Sequence, residues 1–282
     1  MAGLRVLLVD ADPQGSLSQG FFGSAFVEAL TSEETLAACF AENSAWRSFA
    51  NLPLPSGLER LDLICANHTL AEFNVPTPER TESQQFAIHQ LLAELTAYDV
   101  VLIDCPPNLY QCSWNAMLAA DQVVIPVPPE DFGTQGLRLV HQGIEQASRL
   151  NPRLQLLGHL VTRCDSRLLI HQQYQSKLRQ LFGAGVLDTV IPEAVAFKVS
   201  LACRQPVSKY SPRSSAARLT AQLRNSPETI CGFAKCRMDF QSVILRTDWM
   251  SILRRIAEII SGQILSHEIL QRATGTPLAA MA

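Results

Sequence analysis

The sequence predicts an α/β fold: a mostly parallel sheet as the middle of three layers, with helices on both faces. Two apolar runs, 6–9 and 100–103, have the continuous hydrophobicity of strands buried on both faces. Further apolar runs alternate with segments of helical spacing, such as the apolar face formed within 88–95. Strands and helices that alternate in this way form βαβ units, which build parallel sheets.

Each remaining element has its own local signal. The stretch 15–23, rich in glycine and serine, indicates a loop or a helix start. Thr31 followed by Glu34 is the pattern of a capping box, so we expect a short helix through residue 40. The run 52–57 holds two prolines and a glycine and is interpreted as a connector. Apolar runs predict a strand with its turn at 61–67 and further strands at 119–127, 156–161 and 187–192, and apolar residues at helical spacing predict a helix over 137–147.

Composition places the chain among ordinary globular proteins. Its 282 residues are 47% hydrophobic, enough for one large α/β domain or two small ones, and its net charge of −3 gives no indication of nucleic-acid binding. The eight cysteines are scattered without a C-x-x-C motif, which disfavours a metal or disulfide framework and fits a reducing cytoplasm. Asp10 and Asp12 interrupt the first apolar run, so it does not read as a leader peptide.

Acidic residues follow two of the predicted strands, the first and the third along the chain. Asp10 and Asp12 come at the end of the run 6–9, and Asp104 follows the run 100–103. Open α/β sheets bind ligands at the carboxyl ends of their strands, and Mg²⁺ takes one or two carboxylates there together with substrate phosphates. A single acid of this kind often only caps a loop. Two such strand ends in one chain favour a cation and nucleotide site.

The acids lie in two recognisable motifs. Residues 10–14 read D-A-D-P-Q and resemble the D-x-D-P-Q signature of the ParA/Soj partition ATPases, relatives of MinD; residues 103–107 read I-D-C-P-P and resemble that family's Walker B motif. The resemblance runs from about residue 3 to about residue 223. It implies a P-loop NTPase-like fold and Mg-ATP hydrolysis coupled to dimerisation and to segregation of chromosome or plasmid DNA. It also implies that Asp12 positions the attacking water, that Asp104 holds Mg²⁺ through water, and that Asp10 supports both.

The resemblance also includes a loop that would lie near the nucleotide base. Residues 162–167, T-R-C-D-S-R, are similar to the family's T-x-x-D-S-R loop near the adenine, which makes Thr162 and Asp165 candidate nucleotide-binding residues. Pro192, at the end of the last strand, is a third. An ordinary aspartate-containing turn is the alternative at 162–167. The following stretch departs from the family, because I-P-R-N-V-R is replaced by I-P-E-A-V-A at 191–196.

The phosphate loop of this family does not occur in the printed sequence. Gly15 and Gly20 have the glycine spacing of G-x-x-x-x-G-K-[ST], but Phe21 and Phe22 stand where Lys and Ser or Thr are required. Losing four charged phosphate contacts costs roughly 6–12 kcal/mol, so we expect these residues alone to be inactive on ATP. The family's first strand, which lies beside the Walker B strand, is not found either. We therefore expect a marginally stable sheet unless another strand replaces it.

A basic segment lies near the end of the resemblance. Residues 194–227 contain no Asp or Glu. Such a segment suits contacts to the phosphate backbone of nonspecific DNA, and a solvated helix face is the alternative. The resemblance further implies a ParB-like partner protein and a homodimer. The candidate DNA-binding residues are Lys198, Arg204, Lys209, Arg213, Arg218 and Arg224.

The predicted domain spans 1–224, and 225–282 is an extension beyond the resemblance, expected to be partly helical or disordered. Residues 239–244, D-F-Q-S-V-I, recur as D-W-M-S-I-L at 248–253. In a helix, a period of nine would place the two copies on opposite sides. Isoleucines and a leucine at 252–265 form an amphipathic pattern. Membrane attachment, packing against a partner and a non-functional extension are the alternatives for this segment.

Three functions are consistent with the sequence. The first is a cytoplasmic, nucleoid-associated partitioning ATPase that uses ATP and Mg²⁺. The second is a nucleotide-free binding module that pairs with DNA or with an intact ParA-type subunit. The third is a MinD-like membrane-associated ATPase, which the weakly amphipathic end of the chain, 274–282, does not favour.

Overall fold

The computed structural model describes residues 4–41, 48–78, 81–129, 134–203, 207–218 and 241–246. Within these residues eight strands form one sheet. The strands are β1 (Val6–Asp10), β2 (Leu54–Leu58), β3 (Leu61–Ile64), β4 (Val100–Cys105), β5 (Gln122–Val127), β6 (Gln155–Cys164), β7 (Val186–Pro192) and β8 (Gln241–Arg246). Their order across the sheet is β2-β3-β1-β4-β8-β5-β6-β7.

The sheet is parallel except at one edge, as the sequence predicted. All neighbouring strands run parallel apart from β2 and β3, which are antiparallel. Every residue of β1 and of β4 is buried, which agrees with their continuous apolar sequences. The strands predicted at 61–67, 119–127, 156–161 and 187–192 are confirmed as β3, β5, β6 and β7, although β5 begins only at Gln122 and β3 ends at Ile64.

Helices cover both faces of the sheet. Those in the described part of the chain are α1 (Ser16–Phe22), α2 (Ser24–Ala29), α3 (Ala87–Glu94), α4 (Gln111–Ala119), α5 (Thr134–Leu150), α6 (Leu169–Phe182), α7 (Val195–Ala202) and α8 (Val207–Tyr210). Successive residues of a strand point to opposite faces, so Leu7 and Val9 join one buried cluster while Val6 and Leu8 join another. The helices predicted at 88–95 and 137–147 are confirmed as α3 and α5.

Two local predictions need correction. The run 52–57 was interpreted as a connector, but 54–58 forms strand β2. Pro55 is tolerated there because β2 is an edge strand with one unpaired side. The capping box of Thr31 and Glu34 is present, but 31–40 forms two short 3₁₀-helices, Ser32–Glu34 and Leu36–Phe40. One helix does not form because the backbone N–H of Leu36 donates to the Cys65 carbonyl at 2.8 Å.

The centre of the sheet differs from the sequence-based expectation. We expected a strand to be missing beside β4, and β8 lies there, between β4 and β5. All six of its residues are in register with β4, from Gln241 beside Val100 to Arg246 beside Cys105. Strand β8 belongs to the stretch 225–282, so the sheet extends beyond the boundary predicted at 224. The amphipathic pattern at 252–265 and the residues 274–282 lie outside the described residues.

In the described part of the chain, no helix has both the length and the apolar character needed to cross a bilayer.

Candidate nucleotide and magnesium site

The carboxyl ends of β1 and β4 bring the predicted acids together. Asp10 and Asp104 are register partners on these adjacent parallel strands. The backbone N–H of Ala11 donates to the Asp104 carbonyl at 2.8 Å, so the pairing continues one residue beyond β1. Asp12 follows directly. All three aspartates are buried, with exposed fractions of 0% for Asp10, 5% for Asp12 and 2% for Asp104.

Asp10 is held by the first turn of α1. Its Oδ2 accepts hydrogen bonds from the backbone N–H of Ser18 at 2.8 Å and from the Ser18 hydroxyl at 2.7 Å. Its Oδ1 accepts the backbone N–H of Asp12 at 3.2 Å. The Ser18 Oγ in turn accepts the backbone N–H of Ala66, just after β3, at 2.9 Å. The carboxylate therefore ties the tip of β1 to α1 and, through Ser18, to the end of β3.

The electrostatics of Asp10 follow from this enclosure. Burial raises its pKa from 3.8 to about 7, although the hydrogen bonds from Ser18 and Asp12 act in the opposite direction. The nearby charge of Asp12 adds to the rise. Asp10 is thus an enclosed, hydrogen-bonded carboxyl with a pKa near neutrality. Its supporting role in the site stays a prediction.

Asp12 begins a tight turn into α1. Its Oδ1 accepts the backbone N–H of Gln14 at 2.9 Å, and its carbonyl accepts the backbone N–H of Gly15 at 2.8 Å. Gly15 has a φ of +61°, the left-handed region that glycine adopts without strain. A Cβ at this position would collide with the carbonyl oxygen of Ala66. The turn therefore requires glycine, and it fixes Asp12 at the rim of the site.

Sequence reasoning missed Ser18 and Asn67, which position the loops around the acids. The Asn67 side-chain amide donates to the carbonyls of Val27 and Leu30, both at 2.9 Å, and fastens the turn after β3 to the last turn of α2 and the residue that follows it. Asn67 closes the predicted strand and turn 61–67, and Ser18 lies in the predicted loop or helix start 15–23, but neither was predicted as a site residue. Ser18 is eight residues from Asp10, and only the turn at Gly15 brings the two together, so the sequence carried no signal for this contact.

Two cysteines lie beside the acids. Burial raises the pKa of Cys65 to about 12 and also raises that of Cys112, where the charges of Asp12 and Asp10 add to the effect. Both thiols are therefore protonated at neutral pH. They act as small apolar side chains here, since the thiolate is the reactive form.

The predicted adenine-binding residues lie on the same edge of the sheet, at β6 and β7. Thr162 is buried within β6, and Pro192, at the end of β7, is the register partner of Cys164. The Asp165 carboxylate is engaged by Arg167, whose Nε and Nη2 donate to its two oxygens at 2.9 and 2.7 Å. These hydrogen bonds lower the pKa of Asp165 to about 2. Asp165 thus caps its own loop, as the alternative interpretation has it, and nucleotide binding by Thr162, Asp165 and Pro192 stays a prediction.

Four of the six predicted DNA-binding residues lie in the described part of the chain. Lys198 forms an ion pair with Glu193 at 2.8 Å, while Lys209, Arg213 and Arg218 have exposed side chains. Arg204 and Arg224 lie outside the described residues. Lys198 follows the carboxyl end of β7, on the same edge as the acids.

The residues at the acid cluster fit the donor set of magnesium. Among the described residues no group of three or more His, Cys, Asp or Glu is arranged to hold a metal by itself. Magnesium does not require one, because it binds through one or two carboxylates and completes its shell with water and substrate phosphates. Asp12 and Asp104, at neighbouring strand ends, supply that number of carboxylates.

Comparison with known proteins places this arrangement in a family. Residues 1–156 match the AAA_31 family model, described as an AAA domain. The chain is 32% identical over 216 residues to an uncharacterized protein of Mycobacterium tuberculosis, covering 76% of this chain but only 66%, just under two thirds, of that relative. It is 34% identical over 225 residues to the chromosome-partitioning ATPase Soj of Thermus thermophilus, covering 78% of this chain and 82% of Soj.

A solved structure shares the fold. Cobyrinic acid a,c-diamide synthase from Mycobacterium smegmatis, crystallised with an ATP analog and magnesium, superposes with a TM-score of 0.56 at 28% identity. The match covers 68% of this chain and 74% of that one. The register of the acidic strand ends, the family model and the identity to Soj agree: the chain belongs to the AAA_31 family, among the homologues of the ParA/Soj partitioning ATPases.

Proposed function

We propose that the chain is a ParA-type partitioning protein whose acidic strand ends take a magnesium-bound nucleotide and whose basic segment contacts nonspecific DNA. The observation that carries the proposal is the register of Asp10 and Asp104 on adjacent parallel strands, with Asp12 immediately beyond. Ligands bind at this edge of open α/β sheets. The synthase with a bound ATP analog and magnesium, and the partitioning ATPase Soj, support it by similarity.

Each acid has a distinct role in this proposal. Asp104 holds the magnesium through water, and Asp12 orients the attacking water from the rim of the turn. Asp10 keeps both in place, because its carboxylate is engaged in hydrogen bonds from Ser18 and Asp12. When bound, the magnesium ion neutralises charge that develops on the phosphates during transfer.

Nucleotide binding by these residues alone should be weak. No G-x-x-x-x-G-K-[ST] occurs in the 282 residues, so the backbone and lysine contacts that cradle phosphates are not supplied by these residues. We propose that a polypeptide of this sequence binds Mg-ATP no tighter than about millimolar, a free energy of about −4 kcal/mol. We further propose that the protein forms a homodimer and acts together with a ParB-like partner protein.

Equilibrium dialysis of ATP with and without Mg²⁺ tests the site. We expect weak binding that strengthens with Mg²⁺ and that loses this dependence in Asp104→Asn and Asp12→Asn. Asp188→Asn is the matched control, because Asp188 is an exposed aspartate that pairs with Arg179 at 3.4 Å. Magnesium dependence that survives in both site variants would contradict the assignment. Micromolar binding by the wild type would contradict the inference about the phosphate contacts.

A second candidate is a DNA-binding module that works without nucleotide, and the exposed Lys209, Arg213 and Arg218 favour it. DNA binding measured over a salt series separates the two functions. Binding that needs ATP supports the partitioning ATPase, and binding independent of ATP supports the module. Replacing the three cations with glutamine should reduce the slope of log affinity against log salt by about 0.9 for each phosphate that the variant no longer neutralises. Arg149→Gln, an exposed arginine on α5 paired with Glu145, is the control.

A further inference from the structure

Two histidines lie in contact between helix α5 and the sheet. His141 is on α5 and His159 is on β6, and their Nε2 atoms are 3.0 Å apart. His159 is 1% exposed, whereas His141 is only half-buried and gives the pair access to solvent. Strands β8 and β5 separate β6 from β4, so three strand spacings, about 14 Å, lie between the pair and the strand that carries Asp104.

His159 has the orientation of a metal-binding imidazole. Its Nδ1 lies 2.9 Å from the Gly185 carbonyl oxygen, which can only accept, so Nδ1 carries the proton and Nε2 presents its lone pair to His141. Metal-binding histidines almost always donate their second ring nitrogen in this way, which fixes the tautomer and makes the other nitrogen more basic. The outer contact of such a ligand is therefore already present.

The backbone of β6 is shaped to make this contact. Its pairing with β5 skips Leu157, which marks a β-bulge immediately before His159, and bulges re-aim the side chains beside them. Gly158, within the bulge, has a φ of +149°, and a Cβ there would lie only 2.9 Å from the Gly185 carbonyl oxygen. A glycine at this position therefore lets that carbonyl approach β6 and accept from the imidazole.

The ring of Phe182 holds both imidazoles. Its centroid is 4.1 Å from that of His159 and 5.2 Å from that of His141, and its plane is within 4° of the His141 plane. Phe182 is the last residue of α6, so three elements of the fold fix the two rings. Groups that are held in place before binding lose little conformational freedom when a ligand arrives.

The spacing of the two nitrogens suits two ligands of one metal ion. With metal–nitrogen bonds of 2.0–2.1 Å, adjacent nitrogens are about 2.9 Å apart at a right angle and about 3.3 Å apart at a tetrahedral angle. The observed 3.0 Å lies between these values. Without metal, the His141 Nε2–H donates to the His159 Nε2. A metal ion takes the place of that hydrogen, a proton binds the His141 Nδ1 instead, and both rings stay neutral.

We propose that His141 and His159 bind one borderline divalent transition-metal ion, of the class of Zn²⁺, Ni²⁺ and Cu²⁺, which cross-links α5 to β6. Imidazole nitrogen suits these ions, whereas Mg²⁺ takes oxygen ligands. Among the described residues no third His, Cys, Asp or Glu is arranged to complete the group, so water fills the remaining positions. The site is separate from the proposed magnesium site and does not depend on the proposed function.

Calorimetric titration of the full-length protein with zinc chloride or nickel chloride tests the site. We expect His141→Gln to lose one metal ion per chain, with an affinity reduced at least about 100-fold, since losing only an outer-shell partner already costs 10- to 100-fold. His89→Gln is the matched control, because His89 is an exposed histidine on α3, and it should bind as the wild type does. Unchanged binding in His141→Gln would overturn the proposal.

Thermal unfolding gives a second measurement. Zinc chloride should raise the unfolding temperature of the wild type and of His89→Gln, because a ligand of the folded state stabilises it, and should not raise that of His141→Gln. His141→Gln should fold without metal, since the side chain it replaces is half-buried. A wild type whose unfolding temperature does not respond to zinc would also overturn the proposal.

Two further arms separate this site from the acidic strand ends. Excess magnesium chloride should not displace the zinc, and Asp104→Asn should keep the zinc-dependent rise in unfolding temperature. Loss of that rise in Asp104→Asn would mean that zinc binds at the strand ends, and would overturn the assignment to His141 and His159. Failure of magnesium-dependent ATP binding leaves the zinc result unaffected, so the two proposals fail separately.

Discussion

Ser18 donates both its backbone N–H and its hydroxyl to the same oxygen of Asp10, Oδ2, at 2.8 and 2.7 Å. The Ser18 oxygen also accepts the backbone N–H of Ala66. One fully buried hydroxyl thus joins the ends of β1 and β3 to the start of α1. This contact places the acidic turn on the sheet, and the first prediction concerns its removal.

Ser18→Ala should lower the free energy of unfolding by about 2–4 kcal/mol. The substitution removes a hydrogen bond to a carboxyl group, worth about 1.5–3 kcal/mol, and leaves the buried Ala66 N–H without its acceptor. Urea unfolding at neutral pH measures the change. Ser32→Ala is the control, because Ser32 is exposed at the start of a 3₁₀-helix. Equal stabilities of the two variants would contradict the role assigned to Ser18.

Asp10 should make the protein less stable as the pH rises from about 4 to about 7. Its pKa is about 7 in the folded state and near 3.8 when unfolded, so the folded state binds more protons throughout this window. The contribution is about 1.4 kcal/mol per pH unit at most, fully favourable to folding below pH 4 and lost as the pH rises through 7. Urea unfolding of the wild type and of Asp10→Asn over this pH range measures it. The difference between the two should vary with pH, and a constant difference would refute the assignment.

Gly15→Ala should destabilise the protein more than Gly57→Ala. Both glycines have left-handed backbones, with φ of +61° and +78°. Alanine in that conformation costs roughly 1–2 kcal/mol at either position. Only at Gly15 does the added Cβ collide with a backbone oxygen, that of Ala66, while at Gly57 nothing in the described part of the chain lies within 4 Å. Thermal unfolding of the two variants isolates the cost of the collision, and equal losses would show that no collision occurs.

The paired imidazoles of His141 and His159 should both have pKa values below the ordinary 6.5. Their Nε2 atoms are 3.0 Å apart, and the His159 Nδ1 lies 2.9 Å from the Gly185 carbonyl. A carbonyl only accepts, so the His159 Nδ1 carries the proton and its Nε2 accepts from His141. Burial lowers the pKa of both rings. Since the unfolded state then binds more protons, their contribution to stability is complete above pH 6.5 and declines as the pH falls below it.

Proton NMR of the two imidazoles measures this directly. We expect both to titrate below the ordinary value of 6.5. In His141→Phe we expect the pKa of His159 to rise, because the charge of His141 contributes to lowering it. A His159 that titrates at or above 6.5 would contradict the neutral pair.

The sequence by itself determined the parallel sheet, because the continuous apolar runs of β1 and β4 are typical of strands covered on both faces and alternate with segments of helical spacing. It also determined that Asp10, Asp12 and Asp104 share one edge, since parallel strands end on the same side. These are local patterns, and they carry over to the structure with small changes in element bounds. The family resemblance followed from the same residues, because each of its two motifs, 10–14 and 103–107, is a short continuous stretch of sequence.

Only the tertiary structure decided which distant segments meet. The contact of Ser18 with Asp10 depends on the left-handed turn at Gly15, and the 3₁₀-helices near Leu36 depend on the Cys65 carbonyl at the end of β3. Strand β8 is distant in sequence from β4 and β5 but lies between them in the sheet, and nothing in the sequence of 241–246 predicts that position. The physical reason is common to all three contacts. A buried hydrogen-bonding group or strand edge must be paired, but the local sequence does not determine its partner, which depends on the packing of the whole chain.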